Sequence, residues 1–203
     1  MRVSNQVHCD DFPCETVNQA SFAVPAVELS PEHVSVVLIS EAAPAALQDN
    51  YYMGSEALFN TTTLAAFASA GLEVASATEL LERGIYCTNA VKCAKIGYTV
   101  PTAAINTCSL LLEQELALFS NVRAFLLMGD VAIKAVIAIA RRNGWPRPIP
   151  AGSTYKIRSG TFSYRGMRVI PSYLQAGPSF FIERTKRKVI AEDIARAVGL
   201  VKG

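Results

Sequence analysis

The sequence predicts an α/β fold, a three-layer α/β/α sandwich around a mainly parallel central sheet. Three observations lead there. Short β-branched runs alternate with helical periodicities through most of the chain. The runs are apolar enough to be covered on both faces. The 203 residues are 51% hydrophobic and 18% charged, which supplies a large core and excludes disorder.

The elements follow in order. Val34 to Ser40 is a short apolar run between Glu32 and Pro44, and reads as a buried strand. Ser55 to Gly71 reads as a helix, with Leu58, Phe59, Leu64 and Phe67 at near-helical spacing and Gly71 as its C-cap. Thr78 to Arg83 is a short helix ended by Gly84. Ile85 to Val91 is a second strand. Thr102 N-caps a helix to about Phe119, whose leucines supply the apolar side. Ala124 to Met128 is a third strand, Gly129 turns, and a helix runs from Asp130 to about Arg142. Thr161 to Tyr164, a turn at Arg165-Gly166, and Met167 to Ile170 read as a hairpin feeding a last strand. Phe180 to Val198 is the final helix, with Ile182, Val189, Ile190, Ile194, Ala195 and Val198 inward. No repeat, low-complexity tract or linker interrupts this, so residues 1–203 are expected to form one domain.

Composition narrows the function. The longest apolar stretch, Ala124 to Ala140, carries Asp130 and Lys134 and is too short to span a membrane. Residues 1–15 hold acidic and polar residues and no apolar h-region, so no secretory signal is expected. Five cysteines then argue for a reducing, cytoplasmic setting, as free thiols or as metal or cluster ligands. The net charge of +2 hides a division. Residues 1–140 hold 6 Lys/Arg against 14 Asp/Glu, and residues 141–203 hold 13 against 3. A basic third marks either an anionic partner, nucleic acid above all, or an unevenly charged surface.

There is no GxxxxGKS loop, no GxGxxG after a strand and no GxSxG elbow. His8 and His33 lie away from the strand carboxyl ends, which disfavours histidine catalysis. In α/β sheets ligands bind beyond those ends. Here they read Ser40-Glu41-Ala42-Ala43-Pro44, then Thr88-Asn89-Ala90-Val91-Lys92-Cys93, then Ile170-Pro171-Ser172-Tyr173-Leu174. In this order they resemble the uracil-DNA glycosylase superfamily, and most closely its iron–sulfur branch, family 4. The likeness spans about residues 14 to 198. The Thr88–Cys93 stretch matches the TNxVKC motif throughout. Leu127-Met128-Gly129-Asp130-Val131-Ala132 is similar to the family's LGxxA segment. Pro171 to Leu174 match its HPSYL, with Ile170 in place of the histidine.

The resemblance implies a DNA glycosylase acting on uracil or a related deaminated base, in single- or double-stranded DNA. Such an enzyme flips the base into a pocket and reads its edge. Asn89 offers both a donor and an acceptor for that reading, although an Asn after a strand also caps turns. An aromatic is implied to stack on the base, and Tyr52 and Phe59 are the candidates. Glu41 matches the loop glutamate that positions water or steadies an oxocarbenium-like sugar. Ser172 is placed to contact phosphate, and Tyr173 or Leu174 to wedge into the duplex. Arg184, Lys186, Arg187 and Lys188 follow that loop and are expected to track phosphates.

The family's [4Fe–4S] ligands correspond to Cys9, Cys14, Cys93 and Cys108. Cys9 and Cys14 form C-x4-C where the family has C-x2-C, and Cys9 sits near a terminus expected to be mobile. Cys93 and Cys108 are 15 apart, as in the family. Cys87 reads as a buried small hydrophobe. Ile170 cannot donate the histidine's hydrogen bond to the departing base. The alternative to an enzyme is therefore a weak or inactive superfamily member that binds DNA or damaged bases. An iron–sulfur protein unrelated to repair is a third reading. A monomer is expected.

Overall fold

A two-stranded antiparallel ribbon joins β1 (Val17–Asn18) to β4 (Ala94–Lys95). The main sheet comprises β2 (Val36–Ala42), β3 (Ile85–Val91), β5 (Ala124–Met128), β6 (Phe162–Tyr164) and β7 (Met167–Ser172). Its spatial order is β3-β2-β5-β7-β6, parallel except for the antiparallel β6 at one edge. This is a computed structural model, and it describes residues 1–200. Residues 201–203, the end of the domain expected over 1–203, lie outside the described residues.

The helices are α1 (Leu58–Ser69), α2 (Ala77–Glu82), α3 (Thr102–Leu116), α4 (Asp130–Arg142), α5 (Thr154–Ile157), α6 (Ser179–Ile182) and α7 (Arg184–Gly199). Strand alternation divides the core into two layers. Val37, Ile39, Tyr86, Phe125, Leu127 and Val169 meet α3 and α4 on one face. Val36, Leu38, Ile85, Cys87, Leu126, Met128 and Ile170 meet α1, α2 and α7 on the other. The expected sandwich is thus present. Among the described residues no helix is long and apolar enough to cross a membrane.

Two strands, Ile85–Val91 and Ala124–Met128, have the expected ends. The first strand runs two residues later than expected, because Ala42 still pairs with Val91. The final helix is not continuous. Glu183 leaves helical geometry (φ −95°, ψ 78°) and separates α6 from α7. Ile182, expected inward, is 78% exposed, and Ala195 is exposed too. The buried stripe of α7 is instead Ile190, Ala191, Asp193, Ile194 and Ala197. Asp193 accepts from Arg158 at 2.8 Å and Arg196 at 2.6 Å, so its charge is paired inside.

The segment expected to be a mobile terminus is built into the fold. Val3 and Val7 are buried in the α3/α4 core. The Met1 amine donates to the Leu29 carbonyl at 2.6 Å. The Ala23 N–H donates to the Lys92 carbonyl, and the Ala94 N–H to Ser21 Oγ, each at 2.7 Å. These bonds stitch residues 21–23 to the turn that follows β3.

Candidate active site

Register places four residues in one row at the carboxyl ends of the strands. Asn89 on β3 pairs with Ser40 on β2, and Met128 on β5 with Ser172 on β7. All four belong to the face covered by α1 and α7. Asn89 is 1% exposed and Ser172 is fully buried. Among the described residues, Asn89 Oδ1 and Ser172 Oγ are the buried side-chain polar atoms left without a partner. Unpaired buried polar atoms are costly, which makes these two, at the edge where α/β sheets take ligands, candidate ligand contacts.

The backbone beneath Asn89 is fixed from the opposite face. Lys92 and Glu115 form a completely buried ion pair. Lys92 Nζ also donates to the Asn89 carbonyl at 2.6 Å and to Thr88 Oγ1 at 2.9 Å. The Tyr86 hydroxyl donates to Glu115 Oε1 at 2.6 Å, and Thr88 Oγ1 does so at 2.9 Å. Burial and the Glu115 charge hold the Tyr86 phenol well above its ordinary pKa, so it remains a donor. Beside Asn89, the Asn50 side chain takes up Asn89 Nδ2 at 3.4 Å. Next along the row, Ser40, Tyr51, Gln175 and Thr63 form a buried hydroxyl–amide network.

Glu41 follows Ser40 and leaves the strand on the other side from Asn89. Its Oε1 accepts from the Val131 N–H at 3.4 Å, in the first turn of α4. Gly129 makes this approach possible. At its φ of +102° a Cβ would stand 2.8 Å from Glu41 Cδ. Glu41 lines a cavity of about 250 Å³ with Tyr173, Leu174, Lys186 and Arg187, and with Asp130, Phe180 and Glu183. The cavity therefore unites five of the expected residues. Lys186 pairs with Glu183 at 2.5 Å and lies 5.4 Å from the Tyr173 ring centroid. Arg187 lies 6.0 Å from the Phe180 ring. Arg184 and Lys188 are exposed outside the cavity, and neither forms an ion pair among the described residues. Asn89 and Ser172 lie outside its lining.

The aromatic candidates have packing roles. The Tyr52 hydroxyl accepts the Cys87 N–H at 2.9 Å, and its ring stacks on Tyr86 at 6.3 Å. Phe59, in the first turn of α1, is half-buried and tilts against Tyr51 at 5.5 Å. Ile170 is 2% exposed, two residues inside β7 in the apolar core, and no polar group replaces the histidine there. Sequence reasoning missed Asn50, Tyr51, Gln175 and Glu115, none of which lies in a recognisable spacing. Their only signal is polarity at positions the fold buries.

Cys9, Cys14, Cys93 and Cys108 line a second cavity, of about 230 Å³, between the N-terminal segment and α3. Burial, reinforced by the neighbouring thiols, pushes Cys93 up to about 12. Burial also raises Cys108, although the Lys92 N–H donates to its sulfur at 3.1 Å. Among the described residues no three His, Cys, Asp or Glu side chains converge on a single-ion site. The four thiols share the lining of this one cavity. Cys87 is apart from them, buried in β3, and its pKa is pushed up to about 12 by burial.

The chain is thus an α/β protein whose mainly parallel sheet carries unpaired polar atoms at its carboxyl edge, with a basic helix beside it. The model of the Uracil DNA glycosylase superfamily matches residues 27–192. The chain belongs to the uracil DNA glycosylase superfamily. Members act on DNA, and membership points to a DNA glycosylase-like function. No curated protein matches the chain.

Proposed function

We propose that the chain hydrolyses the N-glycosidic bond of uracil, or of a related deaminated base, in DNA. The observation that carries this is the unpartnered, buried Asn89 Oδ1 at the end of β3. Among the described residues no protein group bonds that acceptor, and the N3–H of a flipped uracil is the matching donor. Asn89 Nδ2 holds a second hydrogen for the uracil O4. The C1′–N1 bond then breaks with its electron pair leaving on the base. Water adds to C1′ and releases a proton, giving the free base and an abasic sugar. The Glu41 carboxylate, held over the first turn of α4, steadies positive charge on the sugar and orients the water. Tyr173 and Leu174 fill the gap in the duplex, and Arg184, Lys186, Arg187 and Lys188 engage phosphates, whereas Ser172, expected to do so, is fully buried. Tyr52 and Phe59, packed on Tyr86 and Tyr51, are the aromatic candidates for stacking on the base.

Cys9, Cys14, Cys93 and Cys108 are the residues that would hold a [4Fe–4S] cluster, and their shared cavity supports this. When bound, the cluster supplies a structural crosslink between the N-terminal segment, the turn after β3 and α3. The free thiol of Cys87, outside that set, suits a reducing, cytoplasmic setting. We expect about four irons per chain in protein purified without oxygen. Cys93→Ser should lose them, and iron-free wild-type protein would refute the cluster.

Ile170 favours a second reading, a member that binds damaged bases with little turnover, because its site is apolar core. Excess protein incubated with a uracil-containing oligonucleotide, followed by alkali, separates the two. Strand cleavage is expected, and Asn89→Ala should slow it at least about 100-fold. Retained DNA binding without cleavage at any base would leave the binding reading in its place.

A further inference from the structure

Asn50 lies in no motif, yet its contacts decide which way the Asn89 amide faces. The Tyr51 backbone N–H can only donate. It lies 2.9 Å from one terminal atom of the Asn50 amide, so that atom is the oxygen. The same oxygen stands 3.4 Å from a terminal atom of Asn89, which must therefore be the donor nitrogen. Asn89 Oδ1 is left facing the other way, buried and unpartnered. A flipped Asn89 would set two oxygens against each other. The surroundings reinforce the arrangement, since Asn50 and Asn89 are both buried and Lys92 Nζ clamps the Asn89 carbonyl from below.

We propose that Asn50 is a specificity-determining positioning residue that locks Asn89 as a fixed hydrogen-bond acceptor. The inference rests on the glycosylase reading for the identity of its ligand. A fixed acceptor accepts a ring N–H and repels a ring lone pair. Cytosine N3 and adenine N1 carry lone pairs. Deamination turns them into the N3–H of uracil and the N1–H of hypoxanthine. The lock thus senses the one ring atom whose hydrogen-bonding sense deamination reverses. It gives no discrimination against thymine, whose N3–H is the same, and size must exclude that base.

The test uses oligonucleotides carrying one 2′-fluoro-2′-deoxyuridine or 2′-fluoro-2′-deoxycytidine, whose glycosidic bonds resist hydrolysis. Binding then reports the lock without turnover. Wild-type protein should prefer the uracil strand by about 10-fold or more, since a buried acceptor facing a lone pair stays unpaired. Asn50→Asp keeps the oxygen that accepts both N–H groups and should keep the ratio. Asn50→Ala removes it and should bring the ratio within about 3-fold. Asn50→Ser, too short to reach Asn89, serves if the alanine variant does not fold. In free protein labelled with 15N-asparagine, exchange of the Asn89 side-chain amide should be slow in wild type and Asn50→Asp, and faster in Asn50→Ala. A wild-type ratio that survives Asn50→Ala overturns the lock, even if uracil is cleaved. A ratio that collapses only in Asn50→Ala, in a protein that never cleaves, supports the lock and overturns the glycosylase reading. Equal binding of both bases by wild type overturns the lock outright.

Discussion

On the β3 flank of the site, Tyr86, Thr88, Lys92 and Glu115 are fully buried and bonded to one another. On the β7 flank, beyond buried Ser172, Phe181 is 50% exposed and Ile182 is 78% exposed, with Arg184 and Lys188 in solvent beside them. The first arrangement fixes the Asn89 backbone carbonyl through Lys92 Nζ. The second supplies charge and apolar surface with few fixed partners. The contrast matches two tasks. Reading a base edge needs atoms held in place, whereas gripping phosphates needs positive charge near a line of negative charge. A mutation on either flank should therefore fail in its own way.

The largest effect is expected at the buried pair. Lys92→Met alone leaves Glu115 charged and uncompensated, and should cost about 3–5 kcal/mol. Thermal unfolding should show a Tm lower by on the order of 10 °C. Lys92→Met with Glu115→Leu should recover much of that loss. A single variant within about 1 kcal/mol of wild type would break the contrast, because the β3 flank would then not depend on its ion pair. The converse test is Arg184→Glu with Lys188→Glu. Stability should stay within about 0.5 kcal/mol, while DNA affinity falls and the salt dependence of binding flattens by about two charges. An unchanged salt slope would remove α7 from the DNA face. The smallest effect is chemical. With its pKa pushed up to about 12 and no exposure, Cys87 should stay unalkylated in native protein, with no rise in rate between about pH 7 and 9. Rapid labelling there would show that β3 opens more readily than its contacts imply.

Much of this fold was legible in the sequence. Ile85–Val91 and Ala124–Met128 are apolar runs with sharp punctuation, Gly84 before one and Gly129 after the other, and their ends matched. The motif residues also fell at strand ends, where the sandwich puts ligands. What escaped depends on long-range contact. Glu115 meets Lys92 only because α3 crosses over β3. Asn50 sits in an irregular loop, and only the folded chain brings it against Asn89. The bend at Glu183 interrupts a run of good helix formers, so periodicity continued through it and carried Ile182 to the wrong side. The N-terminal segment has no periodicity at all, and its order comes from single valines reaching a distant core.

The Tyr52 hydroxyl has a consequence apart from DNA. β3 is an outer strand, and its outward N–H groups are a template on which another chain can add a strand. The phenol occupies one of those groups, at Cys87, and the N-terminal segment bonds the turn that follows the strand. The opposite border is protected differently, by a strand of only three residues that ends at the tight Arg165-Gly166 turn. Neither border is left long, flat and unoccupied, which is the geometry that invites strand addition.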